Sequence, residues 1–228
     1  MEKKNYTSMF ILIFVVIAML IAILGGKIII DTIRENKENS ESDVLEAEKL
    51  LSKYKGSCRT YITSLTDSDK ILVAINNTKI SETKFCSDKA LESVVNFDKE
   101  GKYCRIIDSQ NHAEEDVEFN VYNYSELLKT IKTLFGQSET LSKNISINDT
   151  SSIVKYVNNI DSYIFDEVGI CIDSFSTVKE VNKKNDTLKV TVETTLTKFD
   201  DSTEEDTYEY LFKQENGNYY LAEITKVK

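Results

Sequence analysis

YEYLFKQENGNYYLAEI, running from Tyr208 to Ile224, decides the fold of this chain. Tyr208, Tyr210 and Phe212 fall on one side of an extended segment and Glu209 and Lys213 on the other. That is the period-two alternation of a half-buried antiparallel strand. Asn216-Gly217 then supplies two residues that tolerate positive φ, the composition of a tight hairpin turn, and Tyr219 to Val227 makes the return strand. Working backwards, Leu188, Val190, Val192 and Leu196 share one face of a strand from Leu188 to Phe199, and Val168 to Val181 precedes it. With Thr207 to Glu215 third in order, the C-terminal part of the chain predicts a four-stranded antiparallel meander.

Upstream, the periodicity changes. Asp43 followed by Glu46 predicts a capping box, Val44, Ala47, Leu51 and Tyr54 lie on one helical face, and Gly56 stands where a helix stops. From Ile71 to Asp108 the pattern reads as strand, with ILVAI at 71–75 and then VVNF and YCRII flanking the turn Asp98-Lys99-Glu100-Gly101. Leu127, Leu128, Ile131, Leu134 and Phe135 predict a helix from Ser125 to Phe135 stopped by Gly136, and a further helix is expected from Ser152 to Ile164. The class is α+β: helices packed on an antiparallel sheet that ends in the meander.

Before all of this stands an apolar run from Asn5 to Gly26, with MFILIFVVIAMLIAIL at Met9 to Leu24. Twenty-two helical residues reach roughly 33 Å, enough to cross a hydrocarbon core of about 30 Å. Ile23 and Leu24 occupy the positions where a cleaved secretory signal needs small side chains, so the run is read as an uncleaved transmembrane helix. A lipid-anchored alternative lacks its cysteine, since the first is Cys58. Lys3 and Lys4 precede the span and Lys27, Arg34 and Lys37 follow it. A tail this short stays inside and a long domain translocates largely regardless of charge, so the C-terminal domain is expected outside the cell membrane. The expected organisation is 1–30 tail and single-pass span, 31–42 polar stalk (DTIRENKENSES), 43–115 an α+β segment with a hairpin, and 116–228 helices plus meander.

Of 28 basic and 38 acidic residues, three and one respectively precede Asp31, leaving a net charge of −12 from Asp31 onward. That surface repels phosphate backbones and excludes nucleic acid as an expected partner. Lysine outnumbers arginine 25 to 3, and proline and tryptophan are absent, a bias that AT-rich codons produce. The Asn-x-Ser/Thr triplets at Asn123 and Asn144 are the chance product of a chain rich in those residues.

Few residues carry recognisable chemistry. His112 is the only histidine, in the polar stretch SQNHAEED beside Glu114, Glu115 and Asp116, and supports neither a catalytic triad nor a zinc site. The run Asp200, Asp201, Glu204, Glu205 and Asp206 has the carboxylates of a calcium loop without its glycine or alternate spacing, and reads as a solvated hairpin tip between the second and third meander strands. Glycine-rich phosphate loops are absent, and no cofactor is expected. The four cysteines contain no C-x-x-C; in an oxidising exterior they allow two disulfides in three connectivities, with Cys86 to Cys104 closing the shortest loop, and equally they read as small buried hydrophobes, as Cys171 does between Ile170 and Ile172.

Helices followed by such a meander, closing on YEYLFKQENGNYYLAEI, resemble the nuclear-transport-factor-2-like and related cystatin-like α+β folds over about residues 116–228. The resemblance implies a sheet curled into a cone around a helix, with Tyr219 or Tyr220 where the family usually carries tryptophan. A short inside tail, one span and an outside domain of this type is similar to the type IV secretion and conjugation scaffold family. That likeness implies a non-catalytic subunit that binds other envelope proteins or its own copies. Two alternatives stand beside it: a membrane-tethered small-ligand-binding domain whose cavity is lined by Tyr208, Tyr210, Phe212 and Tyr220, and a pilin-like subunit. TSMFILIF lacks the glycine and glutamate of a pilin processing site.

Overall fold

The computed structural model describes residues 41–56, 58, 60–97, 103–106, 113–114, 118–148, 152–167, 174–197 and 202–227. The expected span, the stalk and His112 lie outside them. Among the described residues no helix is long and apolar enough to cross a membrane. Met1–Leu45 and Glu46–Lys228 are separate compact units, and the second holds all the described strands.

The class is α+β. A helix over residues 41–51 (α1) is already running before Asp43, so the expected capping box at Asp43 and Glu46 is not where the helix begins. The box sits instead at the next helix, α2, Asp67–Asn77, where the Thr66 hydroxyl accepts from Asp69 N at 3.1 Å and the Asp69 carboxylate accepts from Thr66 N at 3.3 Å. This cap corrects the reading of ILVAI as a strand. Ile71 to Ile75 are all buried in one helix, because the middle of α2 is enclosed while its two ends are exposed, and an enclosed apolar run carries no period. Beyond it Asn76 Nδ2 donates to the carbonyls of Lys55 and Gly56, and Asn77 Nδ2 to Lys53 at 2.6 Å. These bonds tie the end of α2 to the segment that follows α1.

Eight described strands come before the meander: β1 Glu82–Phe85, β2 Val95–Phe97, β3 Tyr103–Ile106, β4 Ala113–Glu114, β5 Glu118–Asn123, β6 Ser146–Asn148, β7 Ser152–Val157 and β8 Ser162–Glu167. β2 and β3 pair as the expected hairpin and extend to β4. A five-stranded antiparallel sheet runs β1-β5-β8-β7-β6, so β1, from the segment before residue 116, pairs with β5 after it. The helix expected from Ser152 to Ile164 is corrected to β7, a 3-10 turn at Asn158–Ile160, and β8. Its spacing of apolar residues also fits two strands, and Asp161 in the left-handed region (φ 46, ψ 47) reverses the chain between them.

Helix α3, Tyr124–Phe135, matches its expectation. Asn123 accepts from Ser125 N at 2.9 Å as the N-cap, Leu127, Ile131, Leu134 and Phe135 are buried, and Gly136 ends it at φ 113. The meander comprises β9 Ser174–Lys184, β10 Thr187–Thr197, β11 Thr203–Glu215 and β12 Asn218–Lys226, in the order β12-β11-β10-β9. Asn216 and Gly217, both at positive φ (51 and 82), make the turn into β12.

One core unites α1, α2, α3, the inner face of the five-stranded sheet and the meander, with Tyr54, Tyr163, Tyr210 and Phe212 at its centre. Each such ring contributes about 1.5–3 kcal/mol through burial. A second, smaller core packs Cys86, Leu91, Val94 and Val95 against Phe119, Val121, Ile153, Val157 and Ile164 on the other face of the five-stranded sheet. That sheet is therefore covered on both sides.

Candidate functional site

The four rings that the sequence offers either as the lining of a ligand cavity or as plain core part company in the structure. Tyr210 and Phe212 are fully buried: the Tyr210 hydroxyl donates to Ile62 O at 2.9 Å, and Phe212 packs 5.4 Å from the Tyr54 ring. The Tyr54 ring in turn meets Phe135 at 5.7 Å, and its hydroxyl donates to Leu134 O at the end of α3. Tyr220 pairs in register with Lys213, and its ring lies 3.3 Å from where a side chain on Gly136 would start. The interior that these residues were expected to open is filled by their own rings. Tyr208 borders a cleft.

That cleft, ≈ 310 Å³, continues the core face of the meander past the point where the core stops covering it. Strand register shows why. Val192 pairs with Tyr208, Thr194 with Asp206 and Leu196 with Glu204, while on β9 Ser176 pairs with Thr194 and Ser174 with Leu196. Alternation keeps all of these on the face that carries Val190 and Tyr210 deeper in. The far wall is the segment bearing Thr60, Tyr61 and Thr63, held against the sheet by the bond from Tyr210 to Ile62 O.

Two of its lining groups, Asp206 and Tyr208, form a chain with Lys226 beside it. The Tyr208 hydroxyl donates to Asp206 Oδ2 at 3.0 Å, and Lys226 Nζ lies 2.6 Å from Asp206 Oδ1 and 5.9 Å from the Tyr208 ring centre. The Lys226 hydrogen bond holds the Asp206 carboxyl below the usual carboxylate range. Burial, and then the Asp206 carboxylate, push the Tyr208 phenol above its ordinary value, and the bond to Asp206 raises Lys226. At neutral pH the trio is carboxylate, ammonium and neutral phenol, an arrangement that holds charge in place and accepts or donates hydrogen bonds.

Of the acidic run, Glu204, Glu205 and Asp206 belong to β11 rather than to a hairpin tip, while Asp200 and Asp201 lie outside the described residues. Strand geometry sends Glu205 to the opposite face from Glu204 and Asp206. Among the described residues no group of three or more histidine, cysteine, aspartate or glutamate side chains is placed to hold a metal ion. Cys58 and Cys86 are each disulfide-bonded. The side chain of Cys104, and Cys171, lie outside the described residues, and with them the expected closure between Cys86 and Cys104.

A second cluster went unseen in the sequence. Lys143 Nζ sits 4.6 Å from the Tyr124 ring centre and 5.0 Å from that of Tyr156, and pairs with Asp161 at 2.7 Å. Tyr156 also donates to Asp161, while Tyr124 and Tyr163 donate to the carbonyls of Leu141 and Ser142. These bonds stitch the segment after α3 to β7 and β8. The signal in the sequence was only the tyrosine count, because the partners are 18 residues apart.

Comparison of this chain with known protein families, curated proteins and solved structures finds no match.

Proposed function

We propose that this chain is a single-pass, membrane-anchored protein whose C-terminal domain lies outside the membrane and acts by binding, as a non-catalytic subunit or accessory of an envelope complex. One observation carries the reading: Cys58 and Cys86 are both in disulfides. Disulfides persist in oxidising compartments and are rare where thiols are kept reduced. The apolar run from Asn5 to Gly26 supplies the anchor that holds such a domain at a membrane. The ring-filled interior favours recognition by the domain's surface over capture of a ligand inside a cone. Kinship with nuclear-transport-factor-2-like folds is part of the same proposal and rests on the sequence pattern from Tyr208 to Ile224.

The test is crosslinking of the C-terminally tagged full chain in its native membrane, with the products identified by mass spectrometry. Recurrent envelope partners or discrete homo-oligomers are the expected result. A chain that remains monomeric and partnerless would sink the assembly reading.

A second reading, small-ligand binding, is favoured by the cleft at Tyr208 alone. Its ≈ 310 Å³ lies at the lower end of the range of roughly 300–1,000 Å³ for ligand pockets.

A further inference from the structure

Where this domain places a lysine near a carboxylate, the two pair: Lys70 with Glu139, Lys179 with Glu193, Lys189 with Glu209 and Lys226 with Asp206, all within 2.6–2.8 Å. Ten described lysines have no carboxylate partner among the described residues, and Lys79, Lys129 and Lys132 are three of them. These three are gathered. Two adjoining clefts of ≈ 320 and ≈ 410 Å³ run along α3 and share Lys129 and Thr133; the first takes in Lys79 and the second Lys132.

Lys129 and Lys132 stand three residues apart on α3, a spacing at which like charges destabilise a helix. The buried face of α3 is already supplied by Leu127, Ile131, Leu134 and Phe135; Lys132 stands in the last turn, where the helix dipole favours a cation, and Glu126 lies one turn before Lys129, so neither lysine is needed for packing. The lining adds hydroxyl and amide groups from Thr78, Thr130 and Gln137, over a half-buried Leu128, and a single carboxylate, Glu126. Such a surface suits an occupant rich in acceptors and negative charge, with some apolar content. A long polyphosphate would meet the net charge of −12 beyond the patch, whereas a short segment would not. The 12 residues of α3 span roughly 18 Å, the length of about five extended residues.

We propose that the outward face of α3 docks an acidic peptide segment of a partner protein, its carboxylates received by Lys79, Lys129 and Lys132. This rests on the assembly reading above and names where and by what chemistry the partner is held. Its test uses the full chain in detergent and a fluorescein-labelled eight-residue peptide of alternating glutamate and leucine. Saturable binding that weakens with added salt is expected, reduced about tenfold or more by the double charge reversal K129E/K132E. The control K184E/K213E, two lysines at the far end of the meander, leaves it unchanged, and both variants keep the melting temperature of the unmodified chain. Absent binding, binding insensitive to salt, or equal loss in the two variants overturns the proposal. In the native membrane K129E/K132E is expected to lose the crosslinked partner that K184E/K213E retains; retention in both also overturns it. Recovery of no partner even from the unmodified chain refutes the assembly reading instead.

Discussion

Replacing Tyr210 by phenylalanine separates the two roles open to the aromatic face of the meander. The ring is fully buried, and its hydroxyl donates to Ile62 O at 2.9 Å across 148 residues of sequence. Phenylalanine keeps the ring packing and leaves that carbonyl without its donor, at a cost of about 1–3 kcal/mol. In a domain of this size each kcal/mol moves the melting temperature by about 2–4 °C, so a fall of about 2–12 °C is expected. The assay is thermal unfolding of the full chain in detergent, followed by circular dichroism and by calorimetry so that the two transitions can be compared. Tyr220→Phe serves as the control, because it removes a hydroxyl from a half-buried ring on β12 while the Tyr210 bond stays intact. If Tyr210 faced an open cavity its hydroxyl would be solvated, and the substitution would be nearly neutral. A shift below about 1 °C would therefore refute the buried-anchor reasoning.

Further outcomes rest on the same packing. Burial pushes the Tyr54 and Tyr210 phenols far above their ordinary value of 10.0. The folded state then keeps protons that the unfolded chain loses above that value. Their share of the stability is full below pH 10 and falls above it, by about 1.4 kcal/mol per pH unit for each of the two; denaturant titrations at pH 9, 10 and 11 read a slope at least that steep, since burial raises Tyr163 as well, and a flat profile contradicts it. Gly136→Ala places a side chain at φ 113 and 3.3 Å from the Tyr220 ring. It should cost about 1–3 kcal/mol, and Tyr220→Ala in the same chain should recover only the steric part, as urea midpoints would show. Reduction with dithiothreitol should lower the urea midpoint by the equivalent of about 2–4 kcal/mol, since Cys58 and Cys86 are both bonded; an unchanged midpoint would show that those bonds do not constrain the unfolded chain.

Local chemistry settled the elements that can be read along the chain. Alternation along β10 and β11, Asn216-Gly217 at the turn, and the apolar spacing of α3 ended by Gly136 are short-range signals, and each element formed where they lay. The segments that misled are those whose apolar spacing fits more than one element. Ile71 to Ile75, buried on every side, has no period to read, and only the cap at Thr66 and Asp69 marks it as helix. Ser152 to Ile164 has spacing that serves a helix or two strands, and pairing with β5 and β6 on either side decided for strands.

Tertiary structure alone decided which part of the meander's aromatic face is core and which is cleft. Tyr208, Tyr210 and Phe212 are equivalent in pattern, yet Tyr54 and Ile62 arrive from about 150 residues away to cover the last two. The bounding residues of the cleft, from Thr60 to Thr194 to Asp206, are brought together only by strand register and by that covering segment. The lysines over α3 were equally invisible, because Lys79 and Lys129 come to line one cleft only through the packing of α2 on α3. A side chain's period is written in its neighbours along the chain. Its exposure depends on what folds over it, and that is a property of distant residues.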